Sequence, residues 1–115
     1  MVVPNPVRLT TTSSSKVGVK IYDDGTYLAG ATNRVHFVGL YQNGVEVGSI
    51  YSGGTYIRYN DVNVLETGVC SGYTFGLRLR TNDLPNGDYV AVMNYTRSAP
   101  AFSKNYTVPI TIALT

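Results

Sequence analysis

The 115-residue chain has one cysteine, one histidine and no tryptophan, and charged side chains make up only 14% of it. Because Cys70 has no partner within the chain, the fold must rest on packing and backbone hydrogen bonds rather than on a disulfide. We expect Cys70 to be a small buried apolar residue, since no activating base lies near it in the sequence. The length predicts a single domain over residues 1–115, able to bury roughly two-thirds of its unfolded surface.

Charge of one sign is also lacking. Nine Lys and Arg stand against seven Asp and Glu, for a net charge of +2, with no run of like charges. Nucleic-acid-binding domains concentrate positive charge in a stripe, so we expect no nucleic-acid partner. No segment approaches the roughly 20 apolar residues that cross a bilayer, so no membrane partner is expected either. Residues 1–6 carry no basic or apolar export signal as the sequence stands, although an export signal removed upstream would leave the same sequence.

Groups that carry chemistry are equally few. His36 lies in an apolar run, which indicates a hydrogen-bonded strand histidine rather than a general base. Asp23 and Asp24 are followed at once by a glycine, which favours a turn over a calcium loop. No Cys/His cluster has the spacing of zinc ligands, and no glycine-rich phosphate loop is present. We therefore expect a protein that is not an enzyme, with no catalytic residue, no metal site and no cofactor.

What the sequence does contain is an alternating pattern of apolar and polar residues. The ten tyrosines and frequent threonines suit a pleated, half-buried surface. Period-two alternation predicts one core-facing set of side chains: Tyr73, Phe75, Leu77 and Leu79, then Tyr106, Val108, Ile110, Ile112 and Leu114. Arg78 and Arg80 fall on the opposite face of their strand. Residues 88–96 have apolar side chains on both faces, which predicts a central strand, and Pro109 predicts an edge or a bulge in the last strand.

Turn signals divide the rest of the chain into short segments. Asn43-Gly44 between two apolar runs predicts a β-hairpin. Ser52-Gly53-Gly54 and Asn60-Asp61 predict the turns that follow it. The candidate strands between such signals cover residues 7–11, 17–22, 35–41, 45–51, 55–59 and 62–65. About eight or nine short strands predict an all-β fold, which we expect to be an antiparallel β-sandwich of Ig-like or jelly-roll type, with a small barrel as the other possibility.

Two segments resemble parts of Ig-like sandwiches. Leu84-Pro85-Asn86-Gly87-Asp88-Tyr89, which continues as Val90-Ala91-Val92, resembles the corner where a tyrosine at the start of a strand bonds back to the preceding backbone. The segment from Leu40 to Val47 resembles a hairpin of the same modules. The paired cysteines and core tryptophan of antibody domains are absent, which excludes that type and leaves an eight-stranded jelly roll open.

The candidate binding residues form two groups. Tyrosine and arginine are enriched where proteins pack on one another, and they cluster in one turn-rich segment at Tyr51, Tyr56, Arg58 and Tyr59. Tyrosine also stacks on sugar rings, so a glycan is a competing ligand, and simple packing of these rings in the core is a third reading. The second group, Pro4, Asn5 and Pro6, belongs to an extended N-terminal arm over residues 1–6. Proline neither continues a helix nor suits a central strand, so the arm is suited to lying along a neighbouring protein.

In overall character the chain resembles the small accessory proteins of tailed-phage virions, such as head-decoration and cement proteins. That resemblance implies a non-enzymatic structural protein of the virion, assembled in the host cytoplasm. Its partner would be the major capsid protein, bound through many symmetry-related copies, and a homo-oligomer stays open. The alternative from a different class is a bacterial fimbrial subunit or surface adhesin at the cell surface. A carbohydrate-binding module is the third possibility.

Overall fold

The computed structural model of the chain describes residues 7–12, 16–19, 22–23, 26–27, 35–70, 74–98 and 101–114. Within these residues the backbone forms eleven β-strands and no helix. The strands are β1 (Val7–Leu9), β2 (Val17–Val19), β3 (Tyr22–Asp23), β4 (Thr26–Tyr27), β5 (Val35–Gln42), β6 (Val45–Tyr51), β7 (Tyr56–Tyr59), β8 (Val62–Cys70), β9 (Thr74–Leu79), β10 (Gly87–Ser98) and β11 (Ala101–Ile112). The prediction of an all-β chain is confirmed.

Nine of the described strands belong to one sheet, in the order β1-β11-β10-β5-β6-β7-β8-β9-β2, and β3 and β4 pair separately. β1 runs parallel to β11, whereas the other neighbours in this sheet are antiparallel. The first part of β6 pairs with β5 and its last part pairs with β7, so the sheet continues through β6 without a break. The expected antiparallel two-sheet sandwich is therefore corrected to a nearly closed, barrel-like mixed sheet with β1 and β2 as its edges.

Two tight hairpins follow directly from their turn residues. Asn43 and Gly44 have φ angles of 52° and 78°, and Asn60 and Asp61 have φ angles of 50° and 63°. Positive φ at both central residues is the backbone of a type I′ turn, whose twist matches that of the flanking strands. Asparagine, aspartate and glycine tolerate this conformation better than other residues. The hairpin predicted at Asn43-Gly44 is confirmed.

The core is formed by the inward-facing side chains of the barrel. Leu77 and Leu79 on β9 are fully buried, as are Ile110 and Ile112 on β11. Their predicted burial is confirmed, while Arg80, the residue that follows β9, is exposed. The remaining buried apolar residues are Val7, Leu9, Val19, Val35, Phe37, Leu40, Ile57, Val64, Leu65, Leu84, Tyr89, Ala91, Met93, Tyr95, Tyr106 and Val108. Tyr73, and the side chains of Phe75 and Cys70, lie outside the described residues.

The long β10–β11 hairpin supports the other side of the barrel. β10 lies between β11 and β5, so the prediction of a central strand is confirmed. Pro109 is opposite Val90 of β10, and β1 pairs with β11 only over 110–112, so within the described residues Pro109 lies at an edge as predicted. At the start of β10, the Tyr89 hydroxyl donates a hydrogen bond of 2.7 Å to the Pro85 carbonyl. This is the backward bond that the tyrosine corner predicted.

Candidate functional site

The structure brings three of the predicted binding residues together on the outer face of the barrel. Tyr51 is directly opposite Tyr56 in the β6–β7 pairing, and Arg58 lies two residues further along β7. Directly opposed and alternate residues share one face of a sheet, so these three side chains point outward together. Tyr59 has the other phase of β7 and packs against the core. The Tyr59 ring is therefore not part of this outer surface, and its predicted role in binding stays a prediction.

The turn between β6 and β7 fixes this arrangement. Ser52, Gly53 and Gly54 have φ angles of 56°, 67° and 90°, which bring the chain back on itself within a few residues. The Thr55 amide donates to the Ser52 carbonyl at 3.3 Å, and the Phe37 amide of β5 donates to the Gly54 carbonyl at 2.8 Å. The second bond joins the turn to β5, the strand that also pairs with β10.

Cations lie over both outward tyrosine rings. The Arg58 guanidinium carbon is 3.5 Å from the centroid of the Tyr51 ring, and that of Arg80 is 5.3 Å from the Tyr56 centroid. The two ring centroids are 6.4 Å apart, with the ring planes inclined at 46°. Cation–π attraction of this kind orients flexible side chains at an exposed site. We call Tyr51, Tyr56, Arg58 and Arg80 the tyrosine–arginine face.

Hydrogen bonds extend this face over β8. The Arg58 Nε donates to the Asn63 Oδ1 at 2.9 Å, and the Arg80 Nη1 donates to the Glu66 Oε1 at 3.1 Å. The Arg78 Nε also donates to the Glu66 Oε1. The alternating pattern predicts that Arg78 and Arg80 point outward, but it does not predict that they lie beside the tyrosines. Only the strand order β6-β7-β8-β9 makes them neighbours.

Glu66 is the carboxylate at the centre of these cations. Burial of the side chain, which is 14% exposed, disfavours its charged form. The hydrogen bond and charge of Arg78, the charge of Lys16 and the hydrogen bond of Arg80 outweigh burial and hold the pKa of Glu66 below its ordinary value. Glu66 is therefore ionised at neutral pH. Its carboxylate orients Arg78 of β9 and Arg80, the next outward residue, through hydrogen bonds.

Next to the tyrosine–arginine face lies a broad depression of about 510 Å³. It is lined by Tyr51 and Arg58, by Ile50 on β6, and by Glu46 and Asp61. The Ile50 side chain is 47% exposed, which is high for a large apolar residue in a β-strand. The depression is open and mixed in polarity, which is typical of a contact surface for a macromolecule rather than of an enclosed ligand site.

The remaining candidates do not add to this site. Pro4, Asn5 and Pro6 lie outside the described residues. His36 is placed in β5, as predicted. Among the described residues, no three His, Cys, Asp or Glu side chains are grouped so that they could hold a metal ion. The same part of the chain contains no helix long and apolar enough to span a bilayer.

Comparison with protein families, with curated proteins and with solved structures gives no significant match for this chain. The fold and the face described above define a barrel-like β domain whose outer surface presents paired tyrosines and arginines.

Proposed function

We propose that the protein is a non-enzymatic binding protein that uses the tyrosine–arginine face to contact a macromolecular partner, and that this partner is the major capsid protein of a tailed-phage virion. The observation that carries the proposal is the grouping of Tyr51, Tyr56, Arg58 and Arg80 on one outward surface. Tyrosine and arginine are the residues that most often dominate binding energy at protein interfaces.

Three features support binding to an assembled lattice. The face has internal contacts, since the Arg58 guanidinium lies over the Tyr51 ring and the Phe37 amide donates to the Gly54 carbonyl in the β6–β7 turn. Exposed Ile50 adds apolar area beside it. A small domain with one such face gains most when many copies sit at symmetry-related positions. The proposal does not require an Ig-like or jelly-roll topology, since the neighbouring strands β6, β7, β8 and β9 of the barrel-like sheet already form the face.

Co-sedimentation with capsids assembled from the major capsid protein of the same genome tests this proposal. We expect the protein to pellet with assembled capsids and to bind isolated capsid subunits much more weakly. Replacing Tyr51 and Tyr56 by Ala should weaken binding by about 2 kcal/mol or more per tyrosine. The matched control replaces Asn94 and Ser103, two outward side chains of the β10–β11 hairpin, by Ala and should pellet like the parent protein.

A glycan array run beside the sedimentation separates the alternative. Strong glycan binding without capsid binding would reject the virion proposal and favour a surface adhesin or a carbohydrate-binding module. Removal of residues 2–6 tests the N-terminal arm separately. If the arm contributes to the capsid contact, this deletion lowers capsid binding while the thermal melt of the free domain stays nearly unchanged.

A further inference from the structure

The barrel is left open between its two edge strands, β1 and β2, and a depression of about 200 Å³ lies there. Three cationic side chains line it: Arg8 from β1, Lys16 just before β2 and Arg78 from β9. The hydroxyl-bearing Thr10 and Thr11, which follow β1, also line it. We call this depression the seam pocket. It is separate from the four side chains of the tyrosine–arginine face.

The backbone explains why these cations meet. Arg8 is the outward residue of β1, between two buried neighbours. Arg78 is the outward residue next to Leu77, and Leu77 pairs with Val17 of β2. The stem of Lys16 lies against Gly68 of β8, where a methyl group would come within 3.1 Å of the Lys16 Cε. A glycine at this position therefore gives the lysine side chain the space it occupies.

Among the described residues that line the seam pocket, the charged side chains are cationic. Arg80 lies on the same face as Arg78. The Glu66 carboxylate accepts a hydrogen bond from each of these two arginines. The charge of Lys16 also contributes to the lowered pKa of Glu66, so this carboxylate interacts with Lys16 as well as with the two arginines. On the other side of β1, Thr111 of β11 lies between Arg8 of β1 and Asp88 of β10. The Asp88 carboxylate accepts a hydrogen bond of 2.9 Å from the Thr111 hydroxyl.

The chemistry of the walls favours an acidic sugar. Cations attract sulfate or phosphate oxygens, threonine hydroxyls exchange hydrogen bonds with sugar hydroxyls, and the apolar side chain of Val17, 46% exposed, offers a surface for the C–H face of a ring. Pockets that enclose a whole drug-sized ligand measure roughly 300–1,000 Å³, so this smaller one holds a single unit of a longer chain. No described residue of its lining is aromatic, so a nucleic-acid base finds no stacking platform there.

We propose that the seam pocket binds one acidic unit of a sulfated or phosphorylated polysaccharide, with Arg8, Lys16 and Arg78 facing its anionic group. This activity is independent of the proposed capsid contact, which uses other side chains. A protein that binds a lattice through the tyrosine–arginine face keeps the seam pocket for a second, polymeric ligand.

Binding to heparin, as a sulfated polysaccharide, tests the proposal at low ionic strength. We expect the protein to bind heparin, and Arg8→Gln and Lys16→Gln each to weaken binding about fivefold, the usual effect of one cation at an anionic surface. The matched control is Lys104→Gln, which removes the same charge as Lys16→Gln. Lys104 is six residues along β11 from Ile110, the partner of Val7, or about 20 Å away. Glu66→Gln should tighten binding, because it removes the carboxylate beside Arg78.

Competition identifies the class of ligand. Neutral dextran, polyglutamate and single-stranded oligothymidylate should each displace heparin less well than dextran sulfate does. If Lys104→Gln weakens binding as much as Lys16→Gln, attraction is due to net charge alone and the seam pocket is rejected as a site. Tighter binding of oligothymidylate or polyglutamate assigns the pocket to a nucleic acid or an acidic protein instead. Absence of heparin binding by the unmodified protein also overturns the proposal.

Discussion

The two sides of the barrel share a core but differ in the chemistry of their outer surfaces. On the β10–β11 hairpin, the Asn94 amide donates to the Ser103 Oγ at 3.1 Å and to the Asn105 Oδ1 at 2.8 Å. Thr96 donates to the Asn94 Oδ1 and lies 3.2 Å from the Ser103 Oγ. These uncharged groups use their hydrogen-bonding capacity on one another. We call Asn94, Thr96, Ser103 and Asn105 the hairpin face.

The tyrosine–arginine face on β6–β9 is different. There the polar contacts hold large side chains, of which Tyr51 and Arg80 are exposed and Tyr56 and Arg58 are half-buried. Arginines remain charged at all ordinary pH values, and large rings beside them offer contact area with little loss of conformational entropy. The comparison teaches that hydrogen bonding within a surface has two distinct uses. It satisfies the polar groups of the hairpin face, whereas in the tyrosine–arginine face it holds arginine side chains beside aromatic rings.

The largest expected effect tests whether the two sides form one cooperative unit. Leu79→Ala on β9 and Ile110→Ala on β11 each remove a fully buried side chain and should cost about 2–5 kcal/mol of unfolding free energy. Both variants should unfold in a single transition by denaturant titration. Arg80→Ala, on the outer face, should cost less than about 1 kcal/mol. Two separate transitions would show that the halves fold independently, and a larger cost for Arg80→Ala would contradict the register of β9.

The next effect concerns the contact between the halves at the β6–β7 turn. An added Cβ at Gly54 would lie 2.8 Å from the Phe37 carbonyl oxygen, whereas one at Gly53 meets nothing within 4 Å. Both glycines have positive φ, which alone costs a non-glycine residue about 1–2 kcal/mol. We expect Gly54→Ala to cost about 2–4 kcal/mol in all, since the clash adds to this strain. Equal thermal midpoints for Gly53→Ala and Gly54→Ala would mean that a side chain at Gly54 does not clash with β5.

A smaller effect is expected at the corner that begins β10. Tyr89→Phe removes the hydroxyl that bonds to the Pro85 carbonyl and should lower the unfolding free energy by about 0.5–1.5 kcal/mol. Tyr51→Phe removes a hydroxyl from an exposed ring on the tyrosine–arginine face and serves as the control. Chemical denaturation measures both. If Tyr89→Phe is as stable as the control, Tyr89 contributes to stability through the packing of its ring and not through the hydrogen bond to Pro85.

The smallest effect is a pH dependence in the tyrosine–arginine half. Because the folded-state pKa of Glu66 lies below its ordinary value of 4.5, ionised Glu66 stabilises the fold above that value. This stability is lost as the pH falls through the lowered pKa. Glu66→Gln should therefore be less stable than the parent protein near neutral pH, with the difference in melting temperature shrinking below about pH 4. A difference that stays constant with pH would show that the carboxylate acts only through its shape.

Part of this structure was decided locally and could be predicted. Asn43-Gly44 adopts the positive φ angles that its residue types favour, and Tyr89 bonds back to Pro85 because both lie in one short segment. Alternation along β9 and β11 set which side chains enter the core, since successive residues of a strand point to opposite faces. These features depend on neighbours within a few residues. Tyr51 and Tyr56 are predicted as candidate binding residues for the same reason, because they lie close together in one short segment of the sequence.

Local residue patterns predict the all-β class, the hairpin turns and the inward and outward faces of the strands. Three features depend instead on the packing of the whole sheet: its curl into a barrel, the turn of Tyr59 toward the core, and the contact of Arg80 with Tyr56. They could not be predicted because alternation gives each strand two faces but carries no information on which strand lies beside it. Strand order follows from how all apolar faces are buried at once, and the seam pocket between the edge strands β1 and β2 exists only after that order is set.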